Sequence, residues 1–176
     1  MRFIELPLRG AFIVEIEERR DDRGFFARSF CGDEFSRQGL TAHFPQCNVS
    51  FNEHRGTLRG LHYQADPRPD VKLVRCTRGA IHDVIVDLRR ASETFRQWRA
   101  VELTADNRRA LYIPAGFAHG FQTTTDGAEV FYMMGDVYVP ELARGVRWDD
   151  PRLGIAWPLP SPRLSERDAS YPDFRP

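Results

Sequence analysis

Among 25 basic side chains the sequence keeps one lysine, Lys72, in the segment DVKLVRC; the others are arginine. An ammonium is a compact point charge whose protonation responds to burial, whereas a guanidinium is planar and permanently charged, so an amine kept at one place suggests chemistry. One strand-length earlier, RGTLRGLHYQ carries Arg59, His62 and Gln64. His62 and Gln64 share a strand face, as do Lys72 and Val74. Arg59 and His62 stand at an odd spacing that sends them to opposite faces unless Gly60 bends the backbone, which a glycine permits. If both strands turn these faces inward, an imidazole, an amide and an amine meet in one cavity. A histidine considered alone is as readily a satisfied core residue, so the grouping matters more than any member.

His119 follows in LYIPAGFAHGF, which matches the PxGxxH pattern of the second half of cupin barrels. Metal-binding cupins add an HxH pair and a downstream glutamate, because a divalent ion needs three or four converging ligands. Here the corresponding residues are His62, Tyr63 and Gln64, and no glutamate follows for more than twenty residues. The ligand set is incomplete, so neither metal nor cofactor is expected. Tyr132 and Tyr138, in EVFYMMGDVYV, have the even spacing that points both phenols to one face of a regular strand, although Gly135 could bulge it. Barrel tyrosines commonly just span core and rim; one facing a histidine across a cavity can instead carry a proton.

Short β-rich segments must position these residues. AFIVEIEE, GFFARSF, VKLVRCTRGAIHDVIVDL, WRAVELT, RALYIP, GFQTTT and AEVFYMMGDVYV are separated by Gly, Pro, Asp and Asn, the pattern of many strands joined by turns. Two short helices are expected, one over about 33–38 ending at Gly39, the other starting at LSERD with Ser165 as N-cap and Asp168 at the third helical position. The reading is a mainly β protein, a jelly roll, in one domain spanning 1–176, with a proline-rich C-terminal wrap from about Trp157. Acidic and basic residues balance at 25 each, which argues against a nucleic-acid partner. The first twenty residues hold no apolar run suited to a signal peptide or membrane anchor. Cys31, Cys47 and Cys76 lie far apart and read as reduced thiols, and a cytoplasmic location is expected.

Taken together, DDRGFFARSF, QCNVSFNEHRGTLRGLHYQ, KLVRC, IPAGFAHGF and RGVRWDDPRLGIAWP resemble the dTDP-4-dehydrorhamnose 3,5-epimerase family from about Arg2 to Asp173. The resemblance implies a cupin-type jelly roll that works as a metal-free homodimer and inverts carbons beside the C4 ketone of a nucleotide-linked 4-keto-6-deoxyglucose. By the same resemblance His62 is the general base, Asp168 its orienting carboxylate, Lys72 the residue that stabilises the enolate oxygen, and Tyr132 the proton donor on the opposite face. Arg23, Arg28, Gln46, Asn48, Arg59 and His119 fall on substrate-contacting positions, and Tyr138 and Arg167 are grouped with them. Arg23 would come from the partner subunit.

Departures from the family pattern gather at the nucleotide. Arg28 and Ala143 replace glutamates and Cys47 replaces an aspartate, so the base carried by the sugar stays open. Three functions are weighed. The first is 3,5-epimerisation of the thymidine nucleotide sugar. The second is 3-, 5- or 3,5-epimerisation of a related 4-keto sugar on another nucleotide such as CDP. The third is a non-catalytic sugar-binding cupin or a metal-dependent one.

Overall fold

A computed structural model describes residues 1–175. The first half of the chain forms β1 (Arg2–Glu5), β2 (Phe12–Glu15), β3 (Arg19–Asp21), β4 (Gly24–Phe26), helix α1 (Gly32–Arg37), β5 (Gln46–Asn52), β6 (Leu58–Gln64), β7 (Lys72–Arg78) and β8 (Ala80–Asp87). The second half adds β9 (Trp98–Thr104), β10 (Ala110–Ile113), β11 (Phe117–Thr123), β12 (Ala128–Met134), β13 (Ala143–Gly145) and helix α2 (Glu166–Ala169). Two antiparallel sheets result. One has the order β1-β2-β10-β7-β12-β5 and the other β13-β6-β11-β8-β9, while β3 and β4 pair only with each other. This is the cupin-type jelly roll.

Strand alternation fills the space between the sheets. Val74, Cys76, Leu111 and Val130 project from the six-stranded sheet onto Ile81, Ile85, Leu103, Phe117 and Phe121 of the five-stranded one. On the central strands several alternate residues, among them Leu73, Tyr112, Val84, Val86 and Ala118, are buried as well, because the back of each sheet is covered there. Phe35 of α1 sits in an aromatic cluster on the six-stranded sheet, with ring centroids 5.1 Å from Phe3, 4.9 Å from Phe30 and 6.1 Å from Tyr112. Edge-to-face contacts of this kind add to the area that Phe35 buries.

Behind the five-stranded sheet lies the C-terminal segment, with Leu153, Trp157 and Phe174 against Leu61, Val84, Val86 and Ala118. Backbone polar groups of a segment without strand partners must still be satisfied. The Gln122 side chain donates to Leu159 O and accepts from Leu159 N, both at 3.0 Å. Arg163 donates to Gly56 O and accepts from Leu58 N, each at 2.9 Å. Toward its end the segment forms α2, where the Ser165 hydroxyl accepts from Asp168 N at 3.1 Å and caps the turn.

The strand carrying His62 has a bulge. Opposite β11, His62 pairs with His119 but Arg59 pairs with Phe121, so two residues of β6, Gly60 and Leu61, stand against one of β11, Gly120. Arg59 and His62 therefore both face the barrel interior despite their odd spacing. Glycines make this fit. Gly60 has φ +134°, and a Cβ there would stand 2.5 Å from Gly120 Cα.

Several elements differ from the sequence reading. Strand β4 stops at Phe26 and joins neither sheet. Strand β12 stops at Met134; Gly135 still donates to its in-register neighbour Val71 O at 2.8 Å, and beyond it the chain leaves the sheet. Tyr138 therefore lies beyond the strand, and the even spacing from Tyr132 does not place it.

Gly60→Ala is expected to destabilise the protein by about 2 kcal/mol or more, combining backbone strain with a clash that backbone must absorb. Phe35→Ala should cost about 3–5 kcal/mol by emptying the aromatic cluster. Denaturant unfolding checks both, and Gly60→Ala alone should also impair activity beyond its effect on stability.

Candidate active site

Between the sheets an open cavity of about 450 Å³ is lined by residues from both. Register places them in rows. On the six-stranded sheet, Gln46, Met134 and Lys72 lie side by side, and Asn48, Tyr132 and Val74 form the next row. On the five-stranded sheet His62 and His119 are direct neighbours. Lys72 and Tyr132 thus reach the cavity from one wall, and Arg59, His62 and His119 from the other.

Three bases in this cavity each hold a buried carboxylate. His62 Nε2 lies 2.6 Å from Asp168 Oδ1, and His119 Nε2 lies 2.9 and 3.0 Å from the two oxygens of Asp83. Lys72 Nζ lies 2.7 Å from Asp70 Oδ2. Asp168, Asp83 and Asp70 are all 5% exposed or less, so each needs its partner to stay ionised inside the protein. Asp168 also accepts from Gly60 N at 3.4 Å. With the carboxylate ionised, Nε2 of His62 carries the hydrogen and the Nδ1 lone pair is left free to accept a proton.

Burial by itself would raise the Asp168 carboxyl, but hydrogen bonds from His62, Gly60 and Ser165 outweigh it and hold the group below the usual aspartate range. Tyr132 shifts the other way. Burial pushes its phenol up, Arg59 partly offsets this, and the Asp70 charge adds to the rise. The phenol keeps its proton well above neutrality.

Around this centre lie the binding candidates. Arg59 is braced by Asn52 Oδ1 at 2.7 Å. Gln46 donates to Asn48 Oδ1 at 3.1 Å and accepts from Tyr138 N at 3.0 Å, which anchors the loop that brings Tyr138 over the cavity. Arg167, one residue before Asp168 on α2, lines the same opening as Tyr138, Ala143 and Arg144. Gln64 is otherwise engaged. Its amide donates to Arg68 O at 2.6 Å and accepts from Val139 N at 2.8 Å, so it ties down loops rather than offering a free group.

Arg23 and Arg28 are not brought to the cavity of their own chain. Arg23, at the tip of the β3–β4 ribbon, pairs with Asp21, and Arg28 pairs with Glu34 at 3.1 Å. Asp70 and Asp83 escaped the sequence reading, as did Arg144. A signal existed for each carboxylate: Asp70 shares strand parity with Lys72, and Asp83 is a charge amid the apolar run of β8. Among the described residues, no three His, Cys, Asp or Glu side chains group in a way that could hold a metal ion.

The family model described as dTDP-4-dehydrorhamnose 3,5-epimerase matches residues 5–176. A dTDP-4-dehydrorhamnose 3,5-epimerase of Methanothermobacter thermautotrophicus is 45% identical, over 99% of this chain and 95% of its own length. The chain belongs to the dTDP-4-dehydrorhamnose 3,5-epimerase family. It is an isomerase. The Bacillus anthracis dTDP-4-dehydrorhamnose 3,5-epimerase, solved with TDP and PPi bound, superimposes with a TM-score of 0.95 at 43% identity, covering 98% of this chain and 99% of that one. ChmJ, a 3′-monoepimerase from Streptomyces bikiniensis solved with dTDP-quinovose, gives a TM-score of 0.88 at 38% identity, over 96% of this epimerase and 85% of ChmJ.

Asp168→Asn tests the first pair. Because its folded-state ionisation is depressed, Asp168 contributes stability that is present above the ordinary aspartate range and lost as pH falls through the folded value. The variant should lose that acid-dependent portion, which urea unfolding at several pH values would reveal. Its kcat should fall by roughly a hundredfold or more, since an amide no longer selects the tautomer with Nδ1 free.

Proposed function

We propose that this epimerase inverts C3 and C5 of dTDP-4-dehydro-6-deoxy-D-glucose to give dTDP-4-dehydro-L-rhamnose. The observation that carries the reading is one cavity with the His62–Asp168 pair on one wall and Lys72 and Tyr132 on the other. Carbons beside a ketone lose protons when the resulting enolate is stabilised. In this reading His62 Nδ1 takes the proton, and the C–H electrons move onto the C4 oxygen. The Lys72 ammonium faces the developing charge, where fixed positive charge is most effective. Tyr132 then returns a proton to the carbon from the opposite face, which inverts its configuration, and recovers its own from solvent, to which His62 releases the proton it took.

Recognition of the carrier follows the charges. Arg59 and Arg167 suit the diphosphate, since a guanidinium meets phosphate oxygens with paired donors. His119, steadied by Asp83, adds a donor or acceptor beside them, while Gln46, Asn48 and Tyr138 serve the nucleoside end. Arg23 and Arg28 complete the site from a second copy of the chain. Exposed apolar groups support that homodimer: Phe26 on the ribbon is 72% exposed, and Val49 and Phe51 on the edge strand β5 are also open to solvent.

We further infer that the chain acts as one domain in the cytoplasm. Its free cysteines suit a reducing compartment, and among the described residues no helix is long and apolar enough to cross a membrane. The likeness to a monoepimerase supports a second reading in which C3 alone inverts.

Incubating the protein with the 4-keto-6-deoxy nucleotide sugar in heavy water separates these readings, because deuterium enters each carbon that is deprotonated. Label at C3 and C5 supports the first reading and label at C3 alone the second; no label defeats both. His62→Ala should abolish uptake, and Tyr132→Phe should let exchange outrun inversion. Lys72→Arg should be costly although it keeps the charge.

Arg23→Ala should raise KM with kcat little changed, as loss of a uniform binding contact does. Light scattering that found an active monomer would overturn the shared site.

A further inference from the structure

Asp70 has no part in the mechanism above, yet it is buried in the same cavity within 2.7 Å of Lys72 Nζ. Its other oxygen accepts from Gln64 N at 3.2 Å, which fixes the carboxylate against β6 and leaves one oxygen for the ammonium. We propose that Asp70 is a positioning residue for the epimerisation: it keeps the buried Lys72 ammonium charged and aimed into the cavity. The proposal rests on the mechanism given above.

The physical need comes from burial. Lys72 is 8% exposed, and its register neighbours Ile113 and Met134 offer no carboxylate. An ammonium in such a place tends to lose its proton unless a negative charge stands close. Asp70 supplies that charge while occupying one of three N–H bonds, so the others stay free for a substrate oxygen. Its second effect is longer in range. Tyr132 stands on the neighbouring strand, and a nearby carboxylate disfavours a phenolate.

Removing the Asp70 charge therefore has the same sign at both sites. An unpaired Lys72 gives up its proton more easily, and Tyr132 ionises more easily. Both changes end activity at lower pH. The other charged groups around them do not compete for this signature. Arg59, Arg144 and Arg167 are guanidinium cations, His62 and His119 are each paired with a carboxylate of their own, and Tyr63 and Tyr138 line the cavity away from the Asp70–Lys72 pair.

Asp70→Asn is the test, because the amide retains an acceptor oxygen for Gln64 N and preserves size. Wild-type exchange and inversion are measured first; their absence would defeat the parent mechanism rather than this proposal. Given an active wild type, kcat in Asp70→Asn should fall about tenfold or more, and the alkaline limb of its pH profile should move down by about one unit. Asp70→Glu, which restores the charge, should recover part of both. In a Lys72→Met background, Asp70→Asn should have a much smaller effect on kcat, since the main partner is already gone. Unfolding midpoints confirm that each variant is folded under assay conditions. An unchanged alkaline limb in a folded Asp70→Asn protein, or an equal kcat loss with and without Lys72, would overturn the proposal.

Discussion

The hydrogen bond between His62 and Asp168 joins residues 106 apart in sequence and holds the functional wall of the barrel together. Asp168 reaches His62 only because the C-terminal segment is clamped across the five-stranded sheet by Gln122, Arg163 and the Trp157 indole, which donates to Trp148 O at 2.9 Å. The Ser165 cap then turns α2 so that the carboxylate faces inward. Without that strap, His62 would lose its carboxylate partner, and the apolar back of the sheet would lose its cover. One segment thus serves both the core and the cavity, and the two are hard to separate by deletion.

A second constraint governs the interior. Polar groups inside a jelly roll displace apolar packing and must be satisfied one by one. The chain meets this by pairing each cavity base with a carboxylate and by supporting two of those carboxylates with backbone N–H donors, from Gly60 to Asp168 and from Gln64 to Asp70. Charges arranged this way are preorganised: they need not rearrange when charge develops on a bound molecule. The apolar core continues directly below, through Val74, Val130 and Phe121, so the cavity has a firm floor.

How much of this was legible in the sequence varied with local pattern. Strand β9, with ordinary alternation, was readable, as were the short fully buried strand β10 and the Ser165 cap. Strand β5 was not. It puts Gln46 and Asn48 beside Met134 and Tyr132 and leaves Val49 and Phe51 exposed at the edge of the sheet, the reverse of a half-buried strand. The segment ending in Tyr138 misled in a different way: a regular alternation continued past Met134, but pairing with β7 ends at the Gly135 hydrogen bond to Val71, and Tyr138 N then bonds the Gln46 side chain instead of a strand. Periodicity reports which face a side chain takes only while the ladder lasts.

The sequence by itself determined the β-rich class, the two short helices, and the set of residue types from which the site is built. Motif order in the chain also marked the family, since spacing between glycines, histidines and aromatics survives when their neighbours change. Tertiary structure alone decided which residues meet. The bulge at Gly60 turned Arg59 and His62 to the same side, Gln64 was drawn into loop contacts, and Asp70 and Asp83 became the partners of Lys72 and His119. The physical reason is that the partner of a buried charge is set by distance in the folded barrel, and the closing of one sheet over another brings together groups that no local periodicity relates.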